Sequence, residues 1–184
     1  TTLFRSPRRL LVRIENPQLN CHVLSMHAPQ SGRPLCERKT WWEETQDIVQ
    51  THCRNIPLIL LIDANAKSGP QRPPVVFDQD DSCSANTAFF IDFLHVHGLY
   101  LPCTSRLHDG PTATWTSPDG MHQHRIDYVA VPQSWSPSCV HSCVLHEFDH
   151  GNAQDDHRAV GLQLCWQEKW KSSPNKTRVH PFNE

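Results

Sequence analysis

The chain has 184 residues, a net charge of −2 and 38% hydrophobic residues. That length suits one domain with a real core, burying about two-thirds of the surface of the unfolded chain. No long basic run is present, which excludes a passive nucleic-acid binder held by charge alone, and no apolar run approaches membrane-spanning length, so no membrane partner is expected.

A nuclease stays open, because a metal ion and a few local Arg or Lys side chains can hold one phosphate. The 8 Cys residues show no zinc-finger spacing, Cys139 and Cys143 being four apart. They read as small buried apolar groups in a reducing compartment, with no secretion signal visible, so a nuclear or cytoplasmic location is expected. Among the 13 His residues the pairs His95 and His97, His122 and His124, and His146 and His150 read as polar residues at helix ends and loops.

In chain order, Leu10 to Ile14 and Cys21 to Met26 are rich in strand formers, with Asn16-Pro17-Gln18 as a turn between them. This predicts a hairpin whose second strand ends at His27. After a loop at Ser31-Gly32-Arg33-Pro34, the spacing of Trp41, Thr45, Ile48 and His52 predicts a helix from Pro34 or Leu35 to His52, with Trp42 and Val49 beside that face. Leu58 to Ile62 is apolar without alternation, which predicts a strand buried on both faces. Lys67 to Ser82 reads as a long loop. Ser84 is placed to cap a helix from Ala85 to His97, ended by Gly98, with Phe89, Phe93 and Val96 inward. Strands follow at Leu99–Leu101, Ala113–Thr116, Arg125–Val131, within Cys139–His146 and at Arg158–Leu164. Strands dominate late in the chain and no glycine-rich nucleotide loop follows any strand. The fold class expected is α/β, a two-layer β-sandwich of packed sheets flanked by helices.

Three strand ends deliver acids and amides. Leu58–Ile62 leads into Asp63-Ala64-Asn65, Arg125-Ile126 leads into Asp127, and Asp155-Asp156-His157-Arg158 precedes the last apolar run. That constellation suits metal-assisted phosphoester hydrolysis, which needs an activated water, charge relief on the phosphoryl oxygens and a stabilised leaving oxygen. Each piece has a bland reading. Asp63 and Asn65 also favour turns, Asp156 and His157 also suit a surface loop, and Asp127 also suits an ion pair with Arg125.

Together these segments resemble the endonuclease/exonuclease/phosphatase (DNase I-like) family, leaning toward the endonuclease domains of non-LTR retrotransposons. Ser25-Met26-His27-Ala28-Pro29 looks like the strand ending in a functional His before Pro. Leu60-Leu61-Ile62-Asp63-Ala64-Asn65-Ala66 looks like the Gly-Asp-x-Asn block. Gly110-Pro111-Thr112-Ala113-Thr114-Trp115-Thr116 with Arg125-Ile126-Asp127-Tyr128-Val129 looks like the Thr-Trp and Arg-Ile-Asp-Tyr pair, and Asp155-Asp156-His157-Arg158 looks like the terminal Ser-Asp-His. The match covers about Leu10 to Leu164.

The resemblance implies roles. His27, Asp63, Asn65, Asp127 and His157 are the catalytic candidates. Asp156, Asp63 and Asn65 are the candidate ligands of Mg²⁺ or Mn²⁺. Trp115 and Arg125 are the candidate contacts to a DNA substrate. Asp127 is expected to hydrogen-bond His157 and set its tautomer. Two departures stand out: Ile62 replaces the glycine before Asp63, where its bulk either enters the core or crowds the site, and Asp155 replaces Ser.

The resemblance also implies an Asn-bearing strand and a metal-binding Glu upstream of anything in this chain. Residues 1–166 are therefore expected to form the C-terminal two-thirds of such a domain, followed by a polar tail or linker at 167–184. A missing N-terminal segment of the same domain, and a reverse transcriptase domain in the same polypeptide, are the expected partners. His27 is expected to lack an acidic neighbour. The leading expectation is a DNA-nicking phosphodiesterase impaired in this chain. A phosphomonoesterase or phospholipase of the same fold, and a noncatalytic binding remnant, are the alternatives.

Overall fold

The structure is a computed structural model that describes residues 1–78, 82–148 and 156–165. β1 (Thr2–Ser6), β2 (Arg9–Glu15) and β3 (Asn20–His27) run antiparallel in sequence. The turn after β2 is closed by the Asn16 side chain, whose Oδ1 accepts the N–H groups of Gln18 at 2.9 Å and Leu19 at 2.8 Å. Helix α1 (Leu35–His52) is the crossover that lets β4 (Leu58–Asp63) pair parallel to β3. Helix α2 (Thr87–Val96) is followed by β5 (Leu99–Tyr100), a 3₁₀ turn at Pro102–Thr104, and the short strands β6 (His108–Asp109), β7 (Trp115–Thr116) and β8 (Gln123–His124). β9 (Asp127–Pro132), β10 (Cys139–Leu145) and β11 (Ala159–Leu164) complete the described strands.

The main sheet has the order β1-β2-β3-β4-β9-β5, the second sheet β11-β10-β6, and β7 pairs with β8 as a separate hairpin. Both helices cover one face of the main sheet. Trp41, Trp42 and Val49 of α1 and Phe90, Phe93 and Leu94 of α2 pack on Leu24, Met26, Leu60, Ile62 and Tyr128. Ile62 is 4% exposed in this core, so its bulk points away from the Asp63 side chain. On the opposite face Leu162 and Leu164 of the second sheet pack with Ile59, Val129 and Val131. The expected two-layer sandwich flanked by helices is thus present.

Three expectations are corrected in detail. β4 is not buried on both faces: Leu58, Leu60 and Ile62 are, but Leu61 is 38% exposed, because the described second sheet lies over β9 and leaves Leu61, Leu10 and Ile14 uncovered. α2 begins at Thr87 rather than Ala85, because Ser84 is engaged with the Thr87 hydroxyl and Asn86 turns its amide back to Pro29 and Asn65. Its buried stripe is Thr87, Phe90, Ile91 and Leu94, the i, i+3, i+4, i+7 set, with Phe93 beside it; Val96 is 48% exposed.

Candidate active site

The register of the main sheet builds the site. His27 lies opposite Asp63, and Asp63 lies opposite Asp127, so β3, β4 and β9 place the three residues on one rung. Residues on one rung share a face, and this is the face away from the helices. His27 Nε2 lies 3.3 Å from Asp63 Oδ2. His27 therefore has an acidic neighbour, contrary to the expectation that it would lack one.

His157 arrives from outside the main sheet. Trp115 forms an antiparallel bridge to it, Thr116 N–H donates to Asp156 O at 2.9 Å, and Arg158 N–H donates to Thr114 O at 2.7 Å. The Thr114 hydroxyl, 1% exposed, accepts the N–H groups of both Ile126 and Asp127 at 3.0 Å. One short segment thus holds Asp127 on one side and His157 on the other. Their side chains meet, with His157 Nδ1 3.0 Å from Asp127 Oδ2. That bond engages Nδ1 and fixes the orientation of the ring.

Asn65 reaches the site by a turn, not by strand alternation. Extended geometry ends at Asp63, and Asn65 has φ 44°, a left-handed conformation that Asn tolerates. Its N–H donates to Asp63 Oδ1 at 2.9 Å, and its Nδ2 donates to Ala28 O at 3.0 Å. A substrate oxygen would compete with Ala28 for that amide. Asn86 Nδ2 donates to Asn65 O at 3.2 Å and Ser31 Oγ donates to the same oxygen at 2.8 Å, so the turn is held from two loops.

These residues open onto a cavity of about 520 Å³ lined by His27, Asp63, Asn65, Trp115, Asp156 and His157, with Gln30, Ser31, Lys67, Ser84, His124 and Ile126 completing its walls. Trp115 stacks on His124 with ring centroids 5.8 Å apart. Arg125, expected to contact substrate, is instead turned into the protein. It is 9% exposed, paired with Asp78, and donates to Cys103 O at 3.0 Å. β8 ends at His124 and β9 begins at Asp127, and this break in the strand lets Arg125 and Asp127 part. Asp155, and the tail at 167–184, lie outside the described residues. Lys67, Gln30, Ser31 and Ser84 were not singled out as site residues in the sequence, where Ser84 read as a helix cap. They sit on loops with no periodic signal, and the one signal that could have found any of them is the cation of Asn65-Ala66-Lys67, just past the acid–amide pair.

The electrostatics follow from the rung. Burial first, then the Asp127 carboxylate, push Asp63 above the usual carboxylate range, against the pull of the Asn65 N–H and of His27 and His157. The hydrogen bond to Asp127 raises His157 above the ordinary histidine value; burial opposes it, and the charges of Asp127, Asp63 and Asp156 add to it. Ligand atoms of Asp63, Asp127 and His157 lie within 4.8 Å of one another. Two close carboxylates, one of them reluctant to ionise, fit a divalent cation, whose charge would relieve that repulsion. Asp156 lines the same cavity, exposed, without joining that close group.

No family model matches the chain. Among curated proteins, craniofacial development protein 2 of Bos taurus is 29% identical over 183 residues, which is 97% of this chain and 29% of that protein. The Tragulus javanicus protein of the same name is 29% identical over 97% of this chain and 30% of its own length. The chain thus spans less than a third of these relatives. Among solved structures, the 3′-5′ exonuclease NExo from Neisseria meningitidis superposes with TM-score 0.65 at 17% identity, covering 86% of this chain and 65% of that one. The 3′ phosphatase NExo from Neisseria bound to product DNA hairpin gives 0.64 at 17% identity, covering 88% and 66%. The endonuclease domain of TRAS1, a telomere-specific non-LTR retrotransposon, gives 0.58 at 16% identity, covering 88% and 65%. A mixed α/β sandwich that superposes on these three structures over most of its length shares their DNase I-like fold.

Proposed function

We propose that this chain is the catalytic part of a divalent-metal-dependent phosphodiesterase that nicks DNA, of the kind found in non-LTR retrotransposons. The observation that carries the reading is the rung of His27, Asp63 and Asp127 with His157 hydrogen-bonded to its last member at 3.0 Å. In this reading Asp127 holds the His157 ring so that Nε2 faces the reacting phosphate. Asp63 orients the attacking water, whose oxygen bonds to phosphorus as the bond to the leaving oxygen breaks. His27 donates a hydrogen bond to a phosphate oxygen, and Trp115 offers a ring face to a base or sugar. Asp63 and Asp156, with Asn65 beside them, would hold Mg²⁺ or Mn²⁺, which when bound neutralises charge on the phosphoryl oxygens.

We further propose that polypeptide outside residues 1–184 supplies another acidic ligand, and that a reverse transcriptase shares that polypeptide. The chain covers less than a third of its curated relatives and about two-thirds of the solved nucleases, which leaves room for both. Nicking of supercoiled plasmid by the longer polypeptide tests the reading. Cutting should require Mg²⁺ or Mn²⁺ and stop in excess chelator, and His157→Ala should lower kcat by about 10²–10⁴-fold as acid–base assistance is lost. Cutting in excess EDTA, or near-normal cutting by the His157→Ala protein, would overturn it. One observation favours a second reading: a neighbour in fold is described as a 3′ phosphatase. Release of phosphate from a 3′-phosphorylated oligonucleotide, with intact plasmid, would select phosphomonoester hydrolysis instead.

A further inference from the structure

The loop leaving β4 carries a cation in a prepared position. Lys67 lines the same cavity as Asp63, Asn65 and His157, and it is the one Lys or Arg in that lining among the described residues. Its backbone is held from both directions. Lys67 N–H donates to Ser84 Oγ at 3.3 Å, and Thr87 Oγ1 donates to Lys67 O at 2.9 Å, while the Ser84 N–H donates to Thr87 Oγ1 at 2.8 Å. This small circuit ties the loop to the start of α2. On either side, Ala66 is 0% and Ser68 1% exposed. The Ala66 carbonyl accepts the Tyr128 hydroxyl at 3.0 Å, and Ser68 lies beside the buried Arg125. With its neighbours turned inward, the half-buried Lys67 side chain is turned to the cavity.

The ammonium forms no ion pair with Asp63 or Asp156, or with any other carboxylate among the described residues. The same lining carries the neutral polar residues Gln30, Ser31 and Ser84. The cavity lining therefore carries acids and imidazoles, suited to the reacting phosphate, and one cation that no carboxylate pairs with among the described residues. A polynucleotide presents a second phosphate one nucleotide from the first, whereas a lone phosphodiester does not. We propose that Lys67 grips the backbone phosphate next to the scissile one, and so makes the site selective for a strand over a single phosphodiester. This rests on the reading of the site as a DNA phosphodiesterase.

Binding in EDTA tests it without turnover. Thymidylyl thymidine, with one phosphate, and the trinucleotide with two are titrated into the wild type, Lys67→Ala and Lys67→Arg proteins and followed by NMR. A labelled short duplex is followed by anisotropy across a KCl series. Lys67→Ala should weaken the trinucleotide severalfold, leave the dinucleotide unchanged, and reduce the slope of log K against log salt by about 0.9; Lys67→Arg should restore both. Unchanged trinucleotide affinity and salt slope would overturn the proposal, as would equal weakening of both ligands, which would put Lys67 on the reacting phosphate. If the wild type binds no DNA at all, the functional reading itself fails. Matching thermal melts of the three proteins confirm that the loop is intact.

Discussion

Asp63 carries the sharpest conflict in the site. It is largely buried, directly opposite a second carboxylate, and held above the usual carboxylate range for those two reasons. A carboxyl with a raised value in the folded protein favours folding while it stays protonated. That contribution is complete below the ordinary value of 3.8 and is lost as pH rises through the raised one. Once ionised, Asp63 therefore opposes the fold. Asp63→Asn should raise Tm at pH 8 by about 2–4 °C, the shift that roughly 1 kcal/mol produces in a domain of this size, and the gain should vanish near pH 4. Circular dichroism melts at the two pH values check this, and a loss of stability at pH 8 would contradict it. His157 obeys the same sign. Its pairing with Asp127 stabilises the protein below the ordinary histidine value of 6.5, and that support is lost as pH rises through the raised value. An NMR titration of the His157 ring should show a midpoint above 6.5 that falls when Asp127 is changed to Asn.

Among the elements, the segment around Thr114 does most to assemble the site, because one hydroxyl anchors the start of β9 while its backbone carries the residues that seat His157. Thr114→Val keeps the shape and removes the acceptor from two N–H groups. It should cost about 1–3 kcal/mol and loosen the His157 to Asp127 bond, whereas Thr114→Ser should retain both. Chemical denaturation with the His157 ring shift as a second readout separates the two effects. The anchoring role of the Thr114 hydroxyl was not legible in the sequence, where Ala113–Thr116 reads as a short strand carrying the Thr-Trp motif. Elements built on local periodicity were legible: the β2–β3 hairpin and α1 fall where the turn residues and the Trp41, Thr45, Ile48 spacing put them. The meeting of Asp63 with Asp127 was visible as two acid-bearing strands. The direction of Arg125 was not, because it depends on a strand break and on Asp78, far away in sequence. Lys67 and Ser84 were missed for a related reason: long-range hydrogen bonds place them.

At the scale of the whole molecule, the rung of His27, Asp63 and Asp127 shares its sheet face with Ser25, Leu61 and Val129 two residues back along the strands. The described second sheet covers that face near β9 but leaves Leu61, Leu10 and Ile14 from 38% to 41% exposed. The site thus stands at the open side of a sandwich, with donors reaching it mainly from one sheet. A hard cation takes several oxygen ligands, and Mg²⁺ tolerates little departure from octahedral geometry. Within the close group only Asp63 and Asp127 supply carboxylates, and Asp127 already accepts from His157. Glu15 does not repair the deficit, because it pairs with Asn20 at the opposite end of β3 from His27. Residues 1–184 alone should therefore bind Mn²⁺ weakly, with a dissociation constant well above micromolar, and nick plasmid poorly. Isothermal titration beside a nicking assay checks both. Micromolar binding with strong turnover would show that Asp63, Asp127, Asp156 and His157 suffice, and that the open side of the sandwich contributes no ligand.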